Sequence, residues 1–199
     1  MNRKVGANPM PAQLKPEDRK TLLELARQTI ELVAKGEKLP ELDLESYSPE
    51  LQKDGASFVT LTIGGNLRGC IGTLSAYQPL AFDVQTRAMQ AAKQDPRFAP
   101  VSPDEVKRIK IEVSRLSSPV PLEYDSPEQL PDLLEPGIDG LVISDGNRSA
   151  TFLPQVWDQL PEPEQFLSHL CRKMGCSPNY WKHNMLDVET YRVEEFSEE

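Results

Sequence analysis

The segment Leu67-Arg68-Gly69-Cys70-Ile71-Gly72-Thr73-Leu74 sets a guanidinium and a thiol two residues apart, with glycines around them. In an extended strand, side chains alternate faces. Arg68, Cys70 and Leu74 are then expected on one side, and Leu67, Ile71 and Thr73 on the other. A cation beside a thiol favours the thiolate, the reactive form of cysteine. Glycine weakens a strand interior, so Gly69 and Gly72 point to close approach of another backbone, a bulge or a ligand. Cys70 is therefore a candidate nucleophile or ligand contact assisted by Arg68. The competing reading is a small residue buried by close packing, since free cysteine is among the most buried types.

A cysteine nucleophile needs a base. The only histidines are His169 and His183, and no local cysteine-enzyme signature accompanies Cys70. Glu112, set in an apolar strand, is a second candidate for acid–base work; the plainer account places it on a solvated sheet face. His169, Cys171, Cys176 and His183 lack the paired Cys-x-x-Cys spacing of a zinc site, so no metal is expected. Thr151, Gln155 and Asn147 supply neutral hydrogen-bonding groups that suit either substrate orientation or turn chemistry. Trp157 and Trp181 read as core or subdomain-interface aromatics. The chain has no phosphate-loop, dinucleotide-binding or His-Glu-x-x-His motif. No cofactor is expected.

The elements that position these residues follow from periodicity. Pro16 to about Lys35 reads as a helix with a stripe of Leu22, Leu25, Ala26, Thr29, Ile30 and Val33, stopped by Gly36. Leu39–Lys53 reads as an acidic, irregular connection. Phe58–Ile63 and the signature form a hairpin about Gly64-Gly65-Asn66. A second helix runs from Pro79 to about Lys93 with Ala81, Val84, Ala88, Ala91 and Ala92 inward. A helical turn at Pro103–Val106 precedes the strand Ile109–Leu116. Two strands follow, Leu141–Ile143 and Ser149–Leu153. A helix over Pro163 to Met174 carries the stripe Phe166, Leu167, Leu170, Cys171 and Met174, with Gly175 as its cap. A single last strand spans Val188–Phe196. This order of helices and hairpins implies an α+β fold with largely antiparallel sheet.

Composition narrows the function. The net charge is −9, from 31 acidic and 22 basic residues. Such a field repels phosphate backbones and anionic membranes, so nucleic acid is a disfavoured partner. Eighteen prolines among 199 residues exceed the ordinary level of about 5% and favour turns. Three cysteines, no secretory signal at Met1–Met10 and no long apolar run suit reduced thiols in a cytoplasmic protein without a membrane span. Residues 1–13 read as a flexible segment.

Four ordered segments carry a resemblance. Leu67–Thr73 (LRGCIGT) resembles the hallmark of the AMMECR family, also called AmmeMemoRadiSam system protein A. Asp95–Pro100 (DPRFAP), Ile111–Pro119 (IEVSRLSSP), and Thr151–Trp157 (TFLPQVW) followed by Phe166–Gly175 (FLSHLCRKMG) are similar to its other blocks. Leu74 stands where the family commonly has an aromatic, and Ala150 where it often has glycine. The resemblance implies an AMMECR-type domain over residues 14–196, with two closely packed subdomains, interleaved in the chain, around a barrel-like sheet and flanking helices. It implies association with a Memo-type, dioxygenase-like protein and a radical SAM protein, and supplies no settled reaction. Two functions from different classes follow. One is a binding or accessory component using a groove at LRGCIGT, with Arg68, Gly69, Cys70, Gly72, Thr151 and Gln155 as ligand-binding residues and Arg68 more important than Cys70. The other is an enzyme with a thiol-containing active site around Arg68 and Cys70. The Phe166–Met174 stripe is expected to pack against the sheet that carries Leu67, Ile71 and Thr73.

Overall fold

The computed structural model describes residues 13–199; the expected flexible segment lies, apart from Gln13, outside them. In chain order the elements are helix α1 (Pro16–Ala34), the turn α2 (Pro49–Gln52), strands β1 (Ala56–Ile63) and β2 (Asn66–Gly72), helix α3 (Leu80–Lys93), the turn α4 (Pro103–Val106) and strand β3 (Ile109–Leu116). Then come β4 (Val120–Pro121), α5 (Leu130–Leu133), β5 (Gly140–Asp145), β6 (Arg148–Phe152), α6 (Pro163–Lys173), α7 (Tyr180–His183), β7 (Asp187–Tyr191) and β8 (Val193–Ser197). The described residues form two compact units, one of residues 13–116 with Glu194–Glu199, the other of Ser117–Val193.

In the first unit the sheet order is β2-β1-β3-β8, and β1 runs antiparallel to both β2 and β3. Val59, Leu61, Ile109, Ile111 and Val113 share one core with Leu22 and Ile30 of α1 and Val84 and Ala88 of α3. Each fully buried Leu, Ile or Val there contributes about 1.5–3 kcal/mol of transfer free energy. The inner face of α3 is mostly alanine, with Ala81, Ala88, Ala91 and Ala92 all buried, which lets the helix lie close to the sheet. Gly36, at φ +76°, ends the α1 region in the left-handed conformation that glycine tolerates best.

Strand β8 is tied into this unit by two carboxylates. Glu194 accepts the Leu14 N–H at 2.9 Å and Arg19 Nε at 3.0 Å. Glu198 accepts the Ile111 N–H at 3.0 Å and pairs with Arg27. The single strand expected over Val188–Phe196 is thus two strands in two sheets, broken at Arg192. The Arg192 N–H donates to Ser117 Oγ at 2.9 Å, and its guanidinium lies 3.0 Å from Glu135 and 3.4 Å from Asp139. Alternation continues through the break, so period-2 patterning does not reveal it.

The second unit holds a sheet of order β4-β7-β5-β6, with antiparallel pairing. Phe166, Leu167, Leu170 and Cys171 of α6 pack with Leu141, Ile143, Ala150 and Val188. This corrects the partner expected for the helix: the β5–β6 hairpin, its near neighbour in sequence, supplies the apolar face. Trp157 stacks on Phe166 with ring centroids 3.7 Å apart, and its N–H donates to the Asp139 carbonyl at 2.8 Å. Trp181 is buried in the same cluster. The barrel-like expectation is also corrected. Among the described residues neither four-stranded sheet closes on itself, because the strand set is divided between two sheets and β4 is only two residues long.

Candidate functional site

The signature strand β2 carries a β-bulge at Arg68. Leu61 pairs with Gly69 and Thr62 with Leu67, which leaves Arg68 as the inserted residue. The bulge re-phases the strand. Leu67 takes the face of Thr62, Gly69 that of Leu61, Cys70 that of Thr60 and Ile71 that of Val59. Leu67 and Ile71 therefore lie on opposite faces, contrary to simple alternation. Ile71 packs into the core below α1 and α3, while Leu67 is exposed on the face shared with Cys70.

Both glycines have a steric reason. A Cβ on Gly69 would stand 2.3 Å from the Ala91 carbonyl oxygen of α3, so the backbones of strand and helix approach through that position. A Cβ on Gly72 would stand 2.1 Å from the ring of Phe58, its cross-strand partner. Of the three reasons a glycine suggests, close approach and a bulge are both present in this strand.

The outward edge of β2 at Cys70 is closed by an ion pair from the Asp95-Pro96-Arg97-Phe98 turn. The Cys70 N–H donates to Asp95 Oδ2 at 2.9 Å, and Arg97 Nη2 donates to the Cys70 carbonyl at 3.3 Å. Asp95 in turn accepts Arg97 Nε at 2.9 Å, Arg97 Nη2 at 2.7 Å and the Arg97 N–H at 3.1 Å. Carboxylate and guanidinium together occupy the place of a neighbouring strand, one way of blunting an edge. Asp95 is buried, at 4% exposure, and the Arg97 hydrogen bonds hold its carboxyl well below the usual carboxylate range.

Arg68 is held by a different carboxylate. Its Nε and Nη2 donate to Glu105 at 2.7 and 3.1 Å, a bidentate fork. Glu105 also closes the capping box of α4, accepting the Ser102 N–H at 2.9 Å and its hydroxyl at 3.0 Å. The Arg68 hydrogen bonds are the main cause that brings the Glu105 carboxyl down to about 2. Arg68 and Arg97 both lie over the ring of Phe98, at 5.8 and 5.5 Å from its centroid. The side chain of Arg68 is 14% exposed and that of Arg97 53%, so Arg97 is the guanidinium that faces solvent.

The Cys70 sulfur accepts the Thr60 hydroxyl at 3.3 Å. Burial pushes the thiol up; the Thr60 hydrogen bond and the Arg97 charge act against this, and the charges of Asp95 and Glu112 add to it. At neutral pH the site therefore holds a thiol. Glu112 does share its face: Cys70, Thr60 and Glu112 form one row across β2, β1 and β3. Two strand spacings, about 10 Å of backbone, separate the row's ends, and Thr60 stands between. Both histidines belong to the second unit.

Thr151 and Gln155 are also in the second unit. The Thr151 hydroxyl lies 2.8 Å from the Leu141 carbonyl and 2.9 Å from the Tyr191 hydroxyl, and Tyr191 is fully buried. Gln155 is half-buried in the 3₁₀ turn Pro154–Asp158. A cavity of about 370 Å³ opens in this unit between Pro121–Tyr124 and Met185–Glu189; none of the signature residues lines it. Among the described residues no three His, Cys, Asp or Glu side chains gather as a metal site, and no helix is long and apolar enough to cross a membrane.

The residues that direct sequence reasoning passed over are Thr60, Asp95, Arg97, Phe98 and Glu105. Ser102-Pro103-Asp104-Glu105 has the spacing of a capping box and was readable as one. The pairing of Asp95 with Cys70 crosses 25 positions and leaves no local signal.

The comparisons with known proteins agree with this architecture. Residues 23–196 match the AMMECR1 family, and the chain belongs to that family. It is 38% identical to a protein of Methanothermobacter thermautotrophicus over 195 residues, covering 94% of this chain and 98% of the relative. It is 35% identical to a protein of Thermofilum pendens over 197 residues, covering 94% and 92%. The crystal structure of the uncharacterized protein PH0010 from Pyrococcus horikoshii is similar with a TM-score of 0.85 at 34% identity, covering 94% of each chain.

Proposed function

We propose that this chain is a cytoplasmic binding or accessory component, with the bulged strand Leu67–Gly72 as its recognition surface. The observation that carries the reading is the treatment of Cys70. Its backbone N–H and carbonyl are both held by the Asp95–Arg97 pair, and its sulfur is occupied by a hydroxyl and pushed towards the neutral thiol. That arrangement favours a rigid display over an activated nucleophile, which needs a lowered pKa or an adjacent base. Exposed Leu67 supplies an apolar contact, and half-exposed Arg97 a fork for a carboxylate or phosphate. Arg68, Gly69 and Gly72 shape the strand that presents them. Thr151 and Gln155 are retained as candidate polar contacts of the second unit. The partners in this reading are the Memo-type, dioxygenase-like protein and the radical SAM protein that the family resemblance implies.

The test is a binding titration of the purified chain against each of those two proteins from the same genome. Arg97→Ala and Leu67→Ser should weaken binding at least tenfold with circular dichroism unchanged, and Cys70→Ser should keep most of it. Loss of binding or activity on Cys70→Ser alone, with rapid alkylation of Cys70 near neutral pH, would favour the thiol enzyme instead.

A further inference from the structure

The other two cysteines stand in a defined relation at the C-terminal end of α6. The Cys176 N–H donates to the Cys171 carbonyl at 2.9 Å, and the Gly175 N–H to the Arg172 carbonyl at 3.0 Å. Gly175 takes the left-handed conformation at φ +83°. These are the two hydrogen bonds and the glycine of a Schellman cap, a motif that frequently brings together the side chains at the positions held here by Cys171 and Cys176. Cys176 packs against the apolar cluster that contains Cys171. Laid end to end, the bonds on either side of the 2.9 Å hydrogen bond give about 7.1 Å, and the bend at the Cys171 carbonyl carbon lowers the upper limit for the two Cα atoms to about 6.8 Å. Disulfides span about 4.4–6.8 Å between Cα atoms. Both cysteines are free, Cys171 buried and Cys176 half-buried. The Cys171 sulfur accepts the backbone N–H of Trp181 in α7, and Arg148 lies within electrostatic reach of Cys176.

We propose that Cys171 and Cys176 are a redox-responsive pair that closes into an intrachain disulfide under a disulfide oxidant such as oxidised glutathione. Cys176, the more exposed, is the attacking group. Its thiolate breaks the sulfur–sulfur bond of oxidised glutathione, forms a mixed disulfide and releases one glutathione thiolate. The Cys171 thiolate then attacks the Cys176 sulfur and expels the second. Two protein thiols are oxidised, one glutathione disulfide is reduced, and the two protons pass to the released glutathiones. The product covalently locks the cap from which the chain proceeds to α7 and Trp181.

The experiment incubates the full chain with excess oxidised glutathione, blocks remaining thiols under denaturing conditions and maps tryptic peptides. Cleavage after Arg172 and Lys173 separates the two cysteines, so a disulfide appears as a linked peptide pair. The expected result is loss of two of the three thiols, with the linked Cys171–Cys176 pair in at least tenfold excess over the Cys176–glutathione adduct. Cys171→Ala should convert that product into the adduct. A wild-type chain that stops at the Cys176 adduct, leaves both thiols free, or links either one to Cys70 overturns the proposal.

Discussion

Replacing Asp95 with asparagine keeps the side chain's shape and removes one acceptor oxygen. Oδ1 accepts the N–H and Nε of Arg97; Oδ2 accepts the Cys70 N–H and Arg97 Nη2. Whichever way the amide is turned, two of these donors meet an NH₂ group. A charge-assisted hydrogen bond contributes roughly 1.5–3 kcal/mol, and the half-exposed Arg97 recovers part of its loss in water. Asp95→Asn should therefore destabilise the first unit by about 2–4 kcal/mol. Arg97→Ala leaves Asp95 its backbone donors and should cost about 1 kcal/mol or less. With a urea m value of about 2–3 kcal/mol/M, the Asp95→Asn midpoint falls by about 1 M. Both tryptophans lie in the second unit, so the signals to follow are far-UV circular dichroism and amide exchange across residues 67–73. The pH dependence is a second readout. A carboxyl whose folded pKa is depressed stabilises the fold fully above its unfolded pKa and loses that contribution as pH falls through the folded value. For Asp95 the decline starts near its ordinary value of 3.8 and runs downward; for Glu105 it runs from 4.5 to about 2. Asp95→Asn should flatten the acid slope. A midpoint shift no larger than that of Arg97→Ala, or an unchanged acid slope, would refute the edge-closing role.

Two other outcomes follow from the same strand. Gly69→Ala forces a methyl group to 2.3 Å from a helix carbonyl, and because backbone cannot swing aside it should cost about 1–3 kcal/mol by chemical denaturation. Gly64→Ala, in open space at φ +58°, should cost about 1 kcal/mol from its backbone conformation alone; the reverse order would remove the close-approach argument. Iodoacetamide should alkylate Cys70 more slowly at pH 7.5 than it does a cysteine in an unstructured peptide, because burial holds the site in its thiol form. Faster reaction than the peptide would show an activation that the Thr60 contact does not supply.

The sequence was most legible where a segment's surroundings are symmetric or local. The α1 stripe from Leu22 to Val33 and the alternation of Ile109, Ile111 and Val113 each need only one apolar side. Gly64-Gly65 marked the hairpin, and both take positive φ. The site was legible only in outline. Alternation paired the wrong faces in β2, because one inserted residue at Arg68 shifts every side chain N-terminal to it. Arg68 looked like the open cation of an acidic protein. Its partner, Glu105, lies 37 positions away, in a turn whose own capping box set the carboxylate's position. Arg192 hid a change of sheet inside a regular strand pattern, since the pattern records which side is buried and not beneath which layer.

The return of the last strand has a consequence for synthesis. The first unit's sheet includes β8, and its Glu194 and Glu198 bind groups at Leu14, Arg19, Arg27 and Ile111. A ribosome makes the signature hairpin early, then all of Ser117–Val193, before it supplies that strand. At roughly 5–20 residues per second the interval is on the order of ten seconds. Throughout it the outer side of β3 offers unpaired backbone groups, and only at its end does the inserted unit have its whole sequence. Losing the codons for Glu194–Glu199 would therefore injure the unit whose other residues were translated first.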